Sequence, residues 1–427
     1  MGKRGWLNLT FGEICLSLLT GGTPDTSIAK YWSGSVPWIT GADFLNQKIA
    51  EPRRYITEEA VHRSNTRIIK AGNLLVVTRT GVGKIAIAPF DIAVSQDTTG
   101  VYFHENISVD FMFYCIQSQI EELKKLNQGT SINGILKADL LALALTIPES
   151  FAEQQKIAEI LSTIDRAIEQ TEAIIAKQQR IKTGLMQDLL TKGIDEDGNV
   201  RSDATHKFKD SPLGQIPTAW EAKTIGGILN EYGGKLQTGP FGSQLHASEY
   251  VAEGIPFVMP QDIQNSGISE VNIARITEER ANDLARHRML PGDIVFARRG
   301  DLSRCAVVKE YQKGWVCGSG CFLMKPPKES ISPRWITEVY RYYTTQLQVN
   351  VQAVGSTMVN LNKGILASLY IPFPTHREQV QIEERLNDME KDQIKLWQQL
   401  DKLKCSKIGL MQDLLTGNVR VTALLND

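Results

Sequence analysis

Two short turns hold the residues best suited to grip a polar partner: Arg79-Thr80-Gly81 and Arg298-Arg299-Gly300. A guanidinium presents a rigid fork of N–H donors that matches O6 and N7 of guanine, or two oxygens of a phosphate. Solvated turn arginines are the bland alternative, so their polar neighbours in the chain matter. In the first half these are Thr23, Thr40, Asp43 and Lys84, then Thr130, Ser131, Asn133 and Lys137. In the second half they are Thr238, Ser243, Gln244, Gln261 and Arg304, then Ser356, Thr357, Asn360, Asn362 and Lys363. Hydroxyls, amides and cations of this kind read base edges or hold phosphates. Each taken singly is more often an ordinary loop residue.

Catalytic patterns are missing. Gly81-Val82-Gly83-Lys84 is followed by Ile85 and has the wrong upstream spacing for a phosphate-cradling P-loop. There is no complete GxGxxG, no Asn-Pro-Pro-Tyr or Asp-Pro-Pro-Tyr of an amino-methyltransferase, and no HExxH. Cys317 and Cys321 have no second ligand pair nearby and read as strand core residues, not as a metal site. No nucleophile elbow is present. The chain therefore reads as a binder, with no metal and no cofactor of its own.

Composition sets the limits of that binding. The formal charge is −1 over 427 residues, which argues against a generic coat for nucleic acid but not against a sequence-specific reader. Residues 1–150 carry 14 Lys and Arg against 14 Asp and Glu, and residues 220–373 carry 16 against 14. Local patches or partners must then supply much of any phosphate neutralisation. The six scattered cysteines and the lack of a signal-like or membrane-spanning apolar run point to a soluble cytoplasmic protein without a disulfide framework.

The elements that must position the two turns are written twice. The octapeptide Gly-Leu-Met-Gln-Asp-Leu-Leu-Thr occupies residues 184–191 and again 409–416. Trp6 with Gly12 and Ile14 is echoed by Trp220 with Gly226 and Ile228. The run Val36 to Ile39, leading to Asp43, returns as Ile255 to Val258, leading to Asp262. Ile56-Thr57-Glu58-Glu59 recurs at Ile276-Thr277-Glu278-Glu279, each a Thr-capped helix start. Such a duplication predicts two like domains with pseudo-twofold symmetry.

After Pro148 and after Pro374 the pattern turns helical. One seam runs through Ile157, Leu161, Ile164, Ile168, Thr171, Ile175, Gln178, Lys182, Leu185 and Leu189. The other runs through Ile382, Leu386, Met389, Gln393, Leu396, Leu400, Leu403, Lys407, Leu410 and Leu414. A repeat of about 3.5 residues held for this length is a coiled-coil seam. Ile160, Ile174 and Ile181 widen the stripe beyond one partner and predict a docking surface for further helices.

The expected architecture is α+β: two pseudo-twofold-related mixed α/β domains separated by a long antiparallel two-helix coiled coil. The divisions are residues 1–150 (first domain), 151–191 (central helix), 192–219 (a Gly, Asp, Ser and Pro-rich linker), 220–373 (second domain), 374–416 (C-terminal helix) and 417–427 (tail). A helix of about 38 residues is about 57 Å long. That length suits a ruler holding two readers about one DNA turn, roughly 34 to 36 Å, apart.

This layout resembles the specificity subunits of type I restriction-modification systems over almost the full chain. The resemblance rests on Gly21-Gly22-Thr23-Pro24 followed by Val36-Pro37-Trp38-Ile39. It rests also on Pro148 with Glu153-Gln154, Pro374 with Glu378-Gln379, the doubled octapeptide, and Ser211-Pro-Leu-Gly-Gln-Ile-Pro217 before Trp220-Glu221. It implies two target-recognition domains and a bipartite asymmetric site on double-stranded DNA. It further implies two modification subunits that use S-adenosylmethionine to methylate adenine, and restriction subunits that use ATP and Mg. The second half departs from the pattern with Gln237-Thr-Gly-Pro-Phe-Gly-Ser243, so contact residues do not transfer directly between domains. The competing reading is a duplicated coiled-coil scaffold that binds proteins and no DNA.

Overall fold

The computed structural model describes residues 4–125, 134–240, 245–264, 266–353 and 360–425. They form two compact units, the first made of Met1–Ile174 with Leu396–Asp427 and the second of Ile175–Lys395. Each unit takes half of each long helix.

The two units are built alike. In the first, a four-stranded sheet runs in the order Cys15–Thr20, Thr98–Phe103, Leu74–Val77, Ile85–Ile87. In the second, the order Lys235–Thr238, Cys321–Lys325, Ile294–Ala297, Cys305–Val307 repeats it. Leu74 to Val77 and Ile294 to Ala297 are fully buried on both faces, which is why each reads as an unbroken apolar run. A smaller sheet around Val36–Ile39 has its counterpart around Ile255–Val258, each pairing in parallel with one neighbour and antiparallel with the other. Thr57 and Thr277 cap the helices that follow, accepting the N–H of Ala60 and of Arg280. Cys317 and Cys321 lie buried in core strands.

Each unit is closed by its own ends. Trp6–Thr10 pairs antiparallel with Ala144–Pro148, and Glu221–Thr224 with Tyr370–Phe373. The long helices follow at once, Phe151–Thr191 and His376–Leu415. Every position of the two seams is buried or half-buried, whereas Ile174 and Ile181 stay about half exposed, at 48% and 52%. Within the first unit Asp165 meets Lys407 (2.7 Å) and Glu172 meets Lys404 (2.8 Å). Within the second, Gln179 meets Gln393 (2.5 Å) and Lys182 meets Glu390 (3.2 Å). Rising numbers on one helix match falling numbers on the other, so the segments are antiparallel in each unit.

Residues 192–219, read from composition as a bridge, fold onto the second unit. A hairpin of Phe208–Ser211 and Gly214–Pro217 presents Ile216 to the core, and Ile194 is buried there too. In the tail, Val421 joins the core of the first unit. Single apolar residues among polar ones leave no periodicity to read.

Both segments carry a latch on the tetrapeptide Gly-Asn-Val-Arg, at 198–201 and 417–420. Arg201 makes a two-pronged bond to Glu378 (2.5 and 3.2 Å), which also accepts the indole N–H of Trp220 (3.0 Å). Arg420 grips Glu153 in the same way (2.6 and 2.7 Å). The adjoining glutamines serve a second purpose. Gln154 and Gln379 accept the backbone N–H of Ser108 and Ser332, both at 2.8 Å, and donate to the carbonyls of Pro148 and Pro374. Gly193 leaves the first helix with φ +63°, and a Cβ there would collide with Trp220 and Glu378.

Candidate nucleic-acid interface

In the first unit the polar candidates gather at one end of the four-stranded sheet. Thr20 and Thr99 are cross-strand partners, Thr99 neighbours the end of Leu74–Val77, and Thr78 continues that strand. Their hydroxyls form a chain, Thr20 to Thr99 at 3.0 Å and Thr99 to Thr78 at 3.2 Å. Arg79, Gln96 and Lys137 share a recess of about 310 Å³ with these threonines. Thr23 joins it by donating to Gln96 (2.5 Å). Arg79 and Lys137 are exposed, so the recess offers hydroxyls, an amide and two cations to solvent.

In the second unit the same backbone carries different side chains. Thr238 pairs with Phe322 where Thr20 pairs with Thr99, and Arg298 stands where Thr78 stands. The carbonyl of Thr78 accepts the N–H of Ile135 (2.7 Å), and that of Arg298 accepts the N–H of Leu361 (3.0 Å). The Arg298 guanidinium lies over the Phe322 ring at 5.7 Å. Its Nε and the Oδ1 of Asn360 are buried without a partner among the described residues. Arg299 is exposed, as is Lys363.

Other candidates position loops. Lys84 donates to the carbonyl of Gly41 (2.8 Å), and Arg304, its counterpart, reaches that of Pro260 (3.5 Å). Each ties the arginine turn to the loop after the short parallel strand. Thr40 and Asp43 cap that loop on each other, and Asp43, only 2% exposed, also accepts Arg53 (2.8 Å). Burial raises the Asp43 carboxyl, but the Thr40 N–H and Arg53 outweigh it and hold it below its ordinary value. Its counterpart Asp262 has the Met259 N–H but no such arginine, and burial leaves it raised. Asp43 is therefore spent within the fold and does not join the recess. Asn362 likewise caps the next helix through Ile365 N–H (2.8 Å).

Thr80 is exposed on the turn, and Gln261 is exposed on the loop before Asp262. Thr130, Ser131, Asn133, Ser243, Gln244, Ser356 and Thr357 lie outside the described residues. Thr20, Thr78, Gln96 and Thr99 escape a reading by motif. The only signal for Thr20 is its alignment with Thr238 across the duplication.

Fold and site together define a class: paired α/β domains whose central sheets end in polar side chains at matching strand positions, each taking part of two long helices. The family model for the type I restriction modification DNA specificity domain matches residues 3–178 and 217–404. The chain belongs to this family, whose role is DNA sequence recognition. It is 30% identical over 214 residues to the MjaIX specificity subunit of Methanocaldococcus jannaschii, covering 49% of this chain and 48% of that one. It is 32% identical over 163 residues to the EcoR124I/EcoR124II specificity subunit of Escherichia coli, covering 36% and 40%. The chain thus spans half or less of those two relatives. Over 98% of its length it is 23% identical to the MjaVIII specificity subunit of M. jannaschii, covering 94% of that relative.

Solved structures share the fold. A specificity subunit from M. genitalium superposes with TM-score 0.56 at 15% identity, covering 96% of each chain. The HsdS subunit of Thermoanaerobacter tengcongensis gives 0.52 at 17%, covering 98% of each.

Proposed function

We propose that this chain recognises a bipartite, asymmetric site on double-stranded DNA, one half-site per unit, and directs the chemistry of partner subunits. The observation that carries this reading is the pair of matching strand ends. One backbone arrangement presents a threonine chain with Arg79 in one unit, and Arg298 over Phe322 with Arg299 in the other. Like scaffolds with unlike reading groups suit two different half-sites.

The partners expected are two modification subunits docked on the helices, bringing S-adenosylmethionine, and restriction subunits bringing ATP and Mg. The chain itself supplies binding and placement, in the cytoplasm. Adenine methylation requires the base to leave the stack, so each unit must leave one adenine to a partner.

Methylation-site sequencing of the assembled complex tests the reading. Arg299→Ala is expected to relax one base position of one half-site, with discrimination falling by about 1–3 kcal/mol. Arg79→Ala is expected to act on the other half-site alone. A change in both half-sites from either substitution defeats the modular assignment.

A further inference from the structure

The two units differ at a second place, away from these strand ends. In the second unit the hairpin of residues 208–217 seats Leu213, Gln215 and Ile216 against Leu190 and Thr191 of the helix end, Val339, Tyr342 and Pro372. Only about 20 Å³ is left open there. The equivalent place in the first unit is fixed by three independent alignments. Leu415 and Thr416 stand for Leu190 and Thr191 in the doubled octapeptide. Cys115 and Ser118 stand for Val339 and Tyr342, counted from the matching caps Ser108 and Ser332. Thr146 stands for Pro372, each two residues before the proline that ends its unit. All five line one open groove of about 670 Å³.

Its walls differ in character from those of its counterpart. Ala144 and Thr146 are exposed where Pro372 is buried, and Thr416 is exposed where Thr191 is half-buried. Asn8, Ser118, Gln119, Thr146, Gln412 and Thr416 bring amides and hydroxyls, over a floor that includes Cys115, Leu145 and Leu415. No lining residue is charged. A wall without cations is a poor seat for phosphate, which separates the groove from the strand ends that carry Arg79 and Arg299. Uncharged amides and hydroxyls over an apolar floor suit a peptide, whose backbone needs donors and acceptors and whose aliphatic side chains need cover.

We infer that this groove binds a short uncharged segment of a partner polypeptide, laid down as the 208–217 hairpin is laid in the second unit, with a Leu and an Ile entering the floor. The second unit carries its own occupant in the chain. In the first unit no described residue lies in the corresponding groove as the hairpin does in the second. The inference stands on this pair of grooves and does not depend on which DNA bases are read.

A fluorescent synthetic peptide with the uncharged sequence of residues 211–218, which keeps Leu213 and Ile216, provides the probe, titrated against the full chain and followed by anisotropy. Saturable binding to one site per chain is expected. Ala144→Trp, on an exposed strand position, fills the groove and is expected to weaken binding about tenfold or more. A peptide with both its Leu and its Ile replaced by Asp should lose affinity by at least as much, a check that needs no altered protein. Absence of saturable binding overturns the inference. So does binding that Ala144→Trp leaves unchanged, since the peptide is then displacing the native hairpin in the second unit or adhering elsewhere.

Discussion

The two units place the same strands, the same turn and the same neighbouring helix around different side chains at one end of the sheet. In the first unit three threonine hydroxyls are chained within 3.2 Å, and in the second an arginine rests on a phenylalanine ring. The sheet beneath keeps the same register in both because its central strands, Leu74–Val77 and Ile294–Ala297, are fully buried and tolerate little change in shape. The turn above is exposed and free to vary. Side chains at the strand ends can therefore differ between the units without refolding either, as the proposed reading of two unlike half-sites requires.

The latches invite the same comparison, with larger effects. Both sides of the Arg201–Glu378 pair are about nine-tenths buried, at 11% and 10% side-chain exposure. Arg420 is 33% exposed against a Glu153 that is fully buried. Arg201→Ala strands Glu378 in the core and is expected to cost about 3–5 kcal/mol in chemical denaturation. Arg420→Ala is expected to cost less, about 2 kcal/mol, because water reaches the vacated side. Equal costs would break the distinction drawn between a sealed latch and an open one.

Acid should then separate the units. His287, buried in the second unit, accepts the Arg286 Nε–H at its Nε2 (2.9 Å), a bond that needs the neutral ring. Burial, with Arg286 adding to it, lowers its pKa to about 4 from 6.5. The unfolded chain therefore binds this proton more readily than the folded one. The stabilisation is complete above pH 6.5 and is lost as pH falls toward 4, by roughly 3 kcal/mol for this group. A pH series of denaturant midpoints should show that slope, and His287→Gln should flatten it. An unaltered slope in the variant assigns the acid sensitivity to other groups.

The smallest effect is expected on the helices. Lys404–Glu172 in the first unit is about half exposed on both sides, whereas Lys182 in the second is 18% exposed beside Glu390. Lys404→Ala should shift stability by no more than about 0.5 kcal/mol, and Lys182→Ala by more. The reverse order in denaturation would show that the exposed pair fixes helix register.

What could be read in the chain follows from the range of the interactions concerned. The seams from Ile157 to Leu189 and from Ile382 to Leu414 are local periodic patterns, so one pass along the chain finds them. Arg79 and Lys137 were legible as exposed cations beside turns. Asp43 was legible only as a polar loop residue, because its burial and its bond to the exposed Arg53 appear only once the chain is folded. The repeated Gly-Asn-Val-Arg was visible in the sequence, yet its partners Glu153 and Glu378 lie 267 and 177 residues away.

The amino-acid sequence by itself determined the duplication, the helices and their heptad register, and the absence of catalytic motifs, since each is written in residue order and spacing. Tertiary structure alone decided which threonines meet, which arginines are latched to buried glutamates and which stay exposed at the strand ends, and which groove is filled. Those are contacts between residues far apart in the chain, and burial gives a side chain its chemical meaning only once its neighbours are in place.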